Sequence, residues 1–110
     1  MKIGIVIFLI GDNYISKFNK KFRPTLMQYC NKYNYELIIL NEYIKNETFM
    51  DRKKFYWQRM LIPEKFIDYD YIVSMDSDIY VNPNSPPIPF EQIPEGKVAA
   101  VNERKYFLPK

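Results

Sequence analysis

Tyr71-Ile72-Val73-Ser74-Met75-Asp76-Ser77-Asp78 decides the fold: a short apolar run rich in β-branched and aromatic residues that stops on two carboxylates. Such a run reads as a strand buried in a sheet, and the polar break marks its carboxyl end. Upstream, Ile3 to Ile10 is aliphatic on both parities apart from Gly4, the pattern of a central parallel strand covered on both faces. It breaks at Gly11-Asp12-Asn13-Tyr14. Tyr35-Glu36-Leu37-Ile38-Ile39-Leu40 is another buried strand. Between these two, Phe18, Phe22, Leu26, Tyr29 or Cys30, and Tyr33 recur every three to four residues and predict an amphipathic helix over Ser16 to Tyr33. Pro24 must kink that helix or start its second half, because an interior proline costs about 3 kcal/mol.

Asn41 to Arg52 is polar and weakly periodic, and reads as a loop. Phe55, Trp57, Met60, Leu61, Phe66 and Ile67 then predict a helix over Lys53 to Ile67, interrupted near Pro63 and ending before Asp68. Beyond the two carboxylates, Asn82 to Pro89 holds four of the eight prolines and reads as an extended loop. Phe90 to Ile93 suits one helical turn, and Lys97 to Val101 a fourth strand. Strands alternating with helices imply an α/β chain: a Rossmann-like, open and mostly parallel sheet in an α/β/α sandwich. Its ligand crevice lies at the carboxyl ends of the strands.

At 110 residues the chain is expected to form one domain, which buries roughly two thirds of its extended surface without metal or disulfide staples. Lys+Arg total 16 against Asp+Glu 13, and the net charge of +3 is dispersed along the chain, so a nucleic-acid partner is not expected. With no His and one Cys there is no intrachain disulfide, no Cys/His zinc site and no Ser-His-Asp or Cys-His hydrolase constellation. Catalysis must then run on carboxylates or a bound metal. The run Ile3 to Ile10 is short for a signal peptide and lacks a small-residue cleavage site. No apolar stretch approaches the roughly 20 residues that span a bilayer, so no membrane span and a cytoplasmic location are expected. Cys30 reads as a small core residue, and the ten Tyr and eight Phe as core and half-buried positions.

In Asp76-Ser77-Asp78, a strand period of two puts both carboxylates on one side and Ser77 on the other. Two hard oxygen ligands so close repel each other unless a cation compensates them. A Mg²⁺ or Mn²⁺ held by one or two carboxylates completes its shell with water and substrate phosphates. The plainer reading is a polar turn that ends a strand. Gly11-Asp12-Asn13-Tyr14 stands where an α/β fold binds its ligand, but taken by itself its plainer reading is a Gly-terminated turn with Asp or Asn capping the next helix. Arg59, one turn beyond Phe55 and Tyr56, suits a guanidinium aimed at a diphosphate or a snorkelling surface arginine.

The order of these pieces carries a resemblance. A strand ending in Gly-Asp-Asn-Tyr is followed by Trp57-Gln58-Arg59-Met60-Leu61-Ile62-Pro63-Glu64. Then comes Tyr69-Asp70-Tyr71-Ile72-Val73-Ser74-Met75-Asp76-Ser77-Asp78-Ile79-Tyr80-Val81. The whole resembles the glycosyltransferase A fold, and is similar in particular to the family 8 glycosyltransferases, which include glycogenin and bacterial lipopolysaccharide galactosyltransferases. The resemblance spans nearly all of the chain and covers the N-terminal, donor half of such an enzyme, with residues 1–110 as a nucleotide-sugar-binding domain cut short at its C-terminus. It implies that Asp78 ligates Mn²⁺ or Mg²⁺ and that Asp76 contacts the metal and the ribose. Asn13 and Tyr14 would hold the uracil and ribose, with Tyr14 stacked on the base. Arg59 would face the diphosphate or sugar, Gly11 and Asp12 would shape the turn, and Ser77 would lie beside the nucleotide. The loop after the second strand is short for the family, and the family's C-terminal metal-binding His has no counterpart in a chain without His.

The expected activity is transfer of a sugar from a nucleotide-sugar, a UDP-sugar by the resemblance, to a glycan or other acceptor hydroxyl with a divalent metal. The alternatives are a nucleotide-sugar-binding module without transfer and a phosphatase-like or nucleotidyltransferase domain using the same carboxylate pair. A sheet edge left open would favour a homo-oligomer. If Tyr14 stacks on uracil, Tyr14→Ala weakens UDP binding in the presence of Mn²⁺ by roughly 5- to 150-fold, whereas Tyr14→Phe keeps most of the affinity. Competition of UDP, GDP and ADP against wild type and both variants measures it. A preference for GDP removes the uridine assignment.

Overall fold

The computed structural model describes residues 1–42 and 61–96. Strand β1, Ile3–Phe8, is the spine, with every residue from Gly4 to Phe8 buried. Strands β2, Glu36–Leu40, and β3, Tyr71–Met75, pair with it on either side, both parallel to it, in the order β2-β1-β3. Parallel strands need long crossovers, and the helical segment between β1 and β2 supplies the first. The open parallel sheet flanked by helices is the α/β architecture that the alternation of strands and helices predicts.

The register aligns side chains in rows across the sheet. Ile5 lies between Leu37 and Val73, and Ile7 between Ile39 and Met75. With Leu9, these rows face a core containing Phe18, Leu26, Tyr29, Cys30, Tyr35 and Phe90. On the opposite face Val6 and Phe8 meet Ile62, joined by Ile10, Ile38, Leu40, Phe66 and Ile72. A strand apolar on both parities is what this two-faced burial requires. Gly4 is small because a Cβ there would stand 2.9 Å from the terminal methyls of both Ile38 and Ile72 and 3.0 Å from the Tyr69 ring.

The helical run begins at Asp12, four residues before the Ser16 expected from periodicity, because Gly11 takes φ 103° and turns the chain from β1 into the helix. Helix α1, Asp12–Lys17, passes into a π-helical segment at Phe18–Phe22 and then into helix α2, Arg23–Tyr33. The π segment is the physical answer to Pro24. A proline has no N–H and crowds the carbonyl four residues back, so the run widens there and Pro24 falls in the first turn of α2, where an N–H has no intrahelical partner. At the other end Asn34 adopts the left-handed conformation, φ 61° and ψ 39°. Its N–H donates to the Asn31 carbonyl and that of Tyr35 to the Cys30 carbonyl at 2.8 Å, closing a Schellman-type cap.

Helix α3, Ile62–Lys65, is one turn with Pro63 in its first turn. The loop expected to be extended over Asn82 to Pro89 instead opens with a closed turn at residues 82–85; residues 86–89 then form a strap outside regular secondary structure that leads into a single 3₁₀ turn at Phe90–Gln92. Of the helix expected over Lys53 to Ile67, the part up to Met60, Arg59 within it, lies outside the described residues, and the described part is helical only over Ile62–Lys65; the fourth strand expected at Lys97 to Val101 also lies outside the described residues. Among the described residues no helix is long and apolar enough to cross a membrane. Because Ile5 is fully buried at the centre of the sheet, Ile5→Val is expected to cost about 0.5–1.5 kcal/mol and Ile5→Ala about 2–5 kcal/mol, read from urea unfolding midpoints.

Candidate functional site at the carboxyl edge of the sheet

Chain direction reverses its spread at β1: β2 is added on one side and β3 on the other. In an open α/β sheet this makes the gap between β1 and β3, at their carboxyl ends, the place where loops diverge and a ligand fits. Ile7 pairs with Met75. The segments leaving the two strands, Leu9 to Tyr14 and Asp76 to Asp78, therefore emerge side by side. The topology thus puts Gly11, Asp12, Asn13 and Tyr14, and Asp76, Ser77 and Asp78, on the turns that leave two adjacent strands at the same edge of the sheet.

Local structure then sets each side chain. Asp12, Asn13 and Tyr14 form the first turn of α1, with the Ile15 N–H bonded to the Gly11 carbonyl at 3.0 Å. The N-cap is Gly11 and no side chain makes a capping bond, so Asp12 and Asn13 are not serving as caps. Both are exposed. Tyr14 is 63% exposed, and its ring edge lies 3.4 Å from where a Cβ on Gly11 would sit. A large aromatic face held open to solvent beside a glycine is suited to stacking against a planar ring.

On the neighbouring strand the ladder stops at Met75, and Ser77-Asp78 form a turn. Strand periodicity therefore does not carry through the carboxylates; the turn does the placing. Asp76 and Asp78 are exposed and Ser77 is half-buried between them, so both carboxylates reach solvent beyond the carboxyl end of β3. Their donor chemistry, two hard oxygen groups open to water, fits a Mg²⁺ or Mn²⁺ that takes its remaining ligands from phosphate and water. Among the described residues no three His, Cys, Asp or Glu side chains gather into a closed metal site.

Sequence periodicity missed one anchor of the crevice. The Asn41 side-chain amide donates to the Leu9 carbonyl at 3.2 Å, and the Leu9 N–H donates to the Leu40 carbonyl at 2.8 Å. Both polar groups of Leu9 are thus tied to the end of β2, fixing the take-off of the Gly11 turn. A polar residue just after a buried strand was the available signal. At the opposite edge, an open groove is lined by Met1, Lys2, Ile3, Asn34, Tyr35 and Glu36. Its polar groups serve the fold. The Lys2 ammonium bonds Asp68 at 2.9 Å, holding that carboxyl below its ordinary pKa, and the Tyr69 hydroxyl donates to Glu36 at 2.6 Å. Burial pushes the Cys30 thiol up to about 11, which leaves it protonated and unreactive at neutral pH.

The chain aligns with a solved glycosyltransferase involved in the glycosylation of the major capsid of PBCV-1, with a TM-score of 0.53 and 22% identity. The chain has a glycosyltransferase-like fold. The alignment covers 88% of this chain and 47% of that one, so this chain spans about half the length of that protein. No protein-family model and no curated protein matches the sequence.

Gly11 holds φ 103°, which a residue with a Cβ rarely adopts. Gly11→Ala is expected to cost about 1–3 kcal/mol of stability. The measurement is thermal unfolding monitored by circular dichroism. Unchanged stability would show that the turn relaxes without glycine.

Proposed function

We propose that this chain is the donor-binding half of a nucleotide-sugar-dependent glycosyltransferase similar to family 8, taking a UDP-sugar together with Mn²⁺ or Mg²⁺ and serving transfer to an acceptor hydroxyl. The observation that supports the reading is that the Gly11–Tyr14 turn and the Asp76-Ser77-Asp78 turn leave the carboxyl ends of the adjacent parallel strands β1 and β3, at the switch point of a glycosyltransferase-like sheet. Fold likeness by itself does not choose a chemistry; an exposed aromatic ring and two exposed carboxylates at one edge of the sheet support this one.

In this reading Tyr14 stacks on the uracil and Asn13 holds the base edge and ribose. Gly11 lets the backbone approach, and Asp12 and Ser77 line the turn on either side. Asp76 and Asp78 would hold the divalent cation, Asp76 also meeting the ribose, and Arg59 keeps the diphosphate role that its sequence context suggests. When bound, the cation supplies charge to offset the departing nucleoside diphosphate. The protein's own part is to orient the sugar–phosphate bond and to keep Tyr14 and the carboxylates in fixed relation, so that little reorganisation is left for the transfer step.

UDP is expected to bind weakly in the presence of a chelator and more tightly with Mn²⁺, because a diphosphate and two carboxylates repel until a cation lies between them. Asp78→Asn, nearly isosteric at an exposed turn, should remove that Mn²⁺ dependence without lowering the melting temperature. Titration calorimetry with and without chelator checks both. Equal UDP affinity in the two conditions would take the metal role away from Asp76 and Asp78. Release of UDP from a UDP-sugar separates transfer or hydrolysis from binding alone. Turnover of a phosphomonoester or a nucleoside triphosphate instead would favour the phosphatase-like or nucleotidyltransferase reading.

A further inference from the structure

After Asp78 the chain turns back along the face of the sheet that already carries α2. Val81, Ile88 and Ile93 pack against the core beneath it, and Phe90 is buried against Tyr71 and Tyr35, with ring centroids 4.8 and 5.7 Å away. Tyr71 opens β3 and Tyr35 directly precedes β2, so the strap runs from the carboxyl edge to the amino edge. Its prolines cannot donate to any backbone ladder, and its carbonyls must find donors elsewhere.

Three tyrosines provide the fastening. The Tyr29 hydroxyl donates to the Pro86 carbonyl at 2.8 Å and the Tyr33 hydroxyl to the Ser85 carbonyl at 2.9 Å, while the Tyr35 hydroxyl oxygen accepts the Ile88 N–H at 3.1 Å. The three rings pack on one another with centroids 5.2 to 5.8 Å apart. Burial, and then the neighbouring tyrosines, push the Tyr29 hydroxyl up to about 12, so it remains a donor at any physiological pH. The segment between this fastening and the carboxylates has little slack. Asn82 to Ser85 is a closed turn, with the Asn84 N–H on the Asn82 side chain at 2.9 Å and the Ser85 N–H on the Asn82 carbonyl at 3.0 Å. Only Ile79, Tyr80 and Val81 lie between that turn and Asp78, and Val81 is packed on the core.

We propose that Tyr29, Tyr33 and Tyr35 are positioning residues for the Asp76–Asp78 pair: by pinning Ser85, Pro86 and Ile88 they hold the strap that leaves the pair and so set its geometry toward a divalent cation and a diphosphate. This rests on the donor-site reading above. The hydroxyls touch neither the nucleotide nor the metal; they act through the backbone.

The test uses the full chain carrying Tyr29→Phe with Tyr33→Phe, which keeps both rings and removes both hydroxyls. Tyr69→Phe is the control, removing a tyrosine hydroxyl bond, to Glu36, at the far edge of the sheet. Titration calorimetry with UDP in Mn²⁺ and in chelator is paired with hydrogen exchange across residues 79–88. The double variant is expected to lose about tenfold in Mn²⁺-dependent UDP affinity, to keep its affinity in chelator, and to exchange faster along the strap. Tyr69→Phe should match wild type in both readouts. Should the double variant fold poorly, Tyr33→Phe alone, at a half-buried position, is expected to show a smaller loss of the same kind. Full retention of the Mn²⁺ enhancement in the hydroxyl variants overturns the proposal, as does an equal loss in Tyr69→Phe. No Mn²⁺ enhancement in wild type overturns the donor-site reading, and this proposal with it.

Discussion

Everything in this molecule hangs on β1 being hydrogen-bonded along both edges and covered on both faces. A strand so placed has no solvent for its backbone or for its side chains, so every residue from Gly4 to Phe8 is constrained by a neighbour. The cross-strand rows through Ile5 and Ile7 align the carboxyl ends of all three strands within a residue or two. That alignment, rather than any contact between the candidate site residues, is what makes two turns distant in sequence leave the same edge of the sheet from adjacent strands. The polar contacts of Lys2, Glu36, Asp68 and Tyr69 do the equivalent at the amino edge. They are exposed, and exposed ion pairs add little, so they trim the register that the apolar rows impose.

The two faces are covered by unequal means. One receives α2 and the strap, which together bury an aromatic cluster of Tyr29, Tyr33, Tyr35, Tyr71 and Phe90. The other, as far as the described residues extend, receives Ile62 and Phe66. A proline-rich strap covers a sheet face without competing for ladder bonds, since it has few N–H groups to satisfy. The cost is that its carbonyls need side-chain donors, and tyrosine meets that need with a ring that also fills the core. The π-helical segment before Pro24 reflects the same economy of backbone groups: the run absorbs a residue without a donor by changing its winding rather than by breaking.

At the carboxyl edge the chemistry is sparse and open: an exposed tyrosine ring, two exposed carboxylates and a glycine with positive φ. Such a site does little without its ligand. In the proposed reading a nucleotide supplies the ring to be stacked upon and the phosphate oxygens that complete a cation's shell.

Much of this was legible in the residues themselves. Apolar runs on both parities identified the strands, the break at Asp76 located a strand end to the residue, and the order of the pieces pointed to the fold, because burial on two faces and period-two geometry are local constraints that a sequence must obey. Helix onset was less legible. The apolar spacing that marks Phe18 to Tyr33 says nothing of Asp12 to Tyr14, whose helical turn is dictated by Gly11 and faces solvent. The Asn41 anchor was legible only as a polar residue after a buried strand, and the tyrosine fastening was not legible at all. A core tyrosine and a hydrogen-bonding tyrosine have the same spacing and hydrophobicity, and the partners of Tyr29 and Tyr33 lie 57 and 52 residues away. By itself, then, the sequence determined the strands, their burial and the chemical types at the carboxyl edge. Only the tertiary structure decided which turns meet and what holds them, because strand order and long-range hydrogen bonds are set by packing between segments that carry no record of one another.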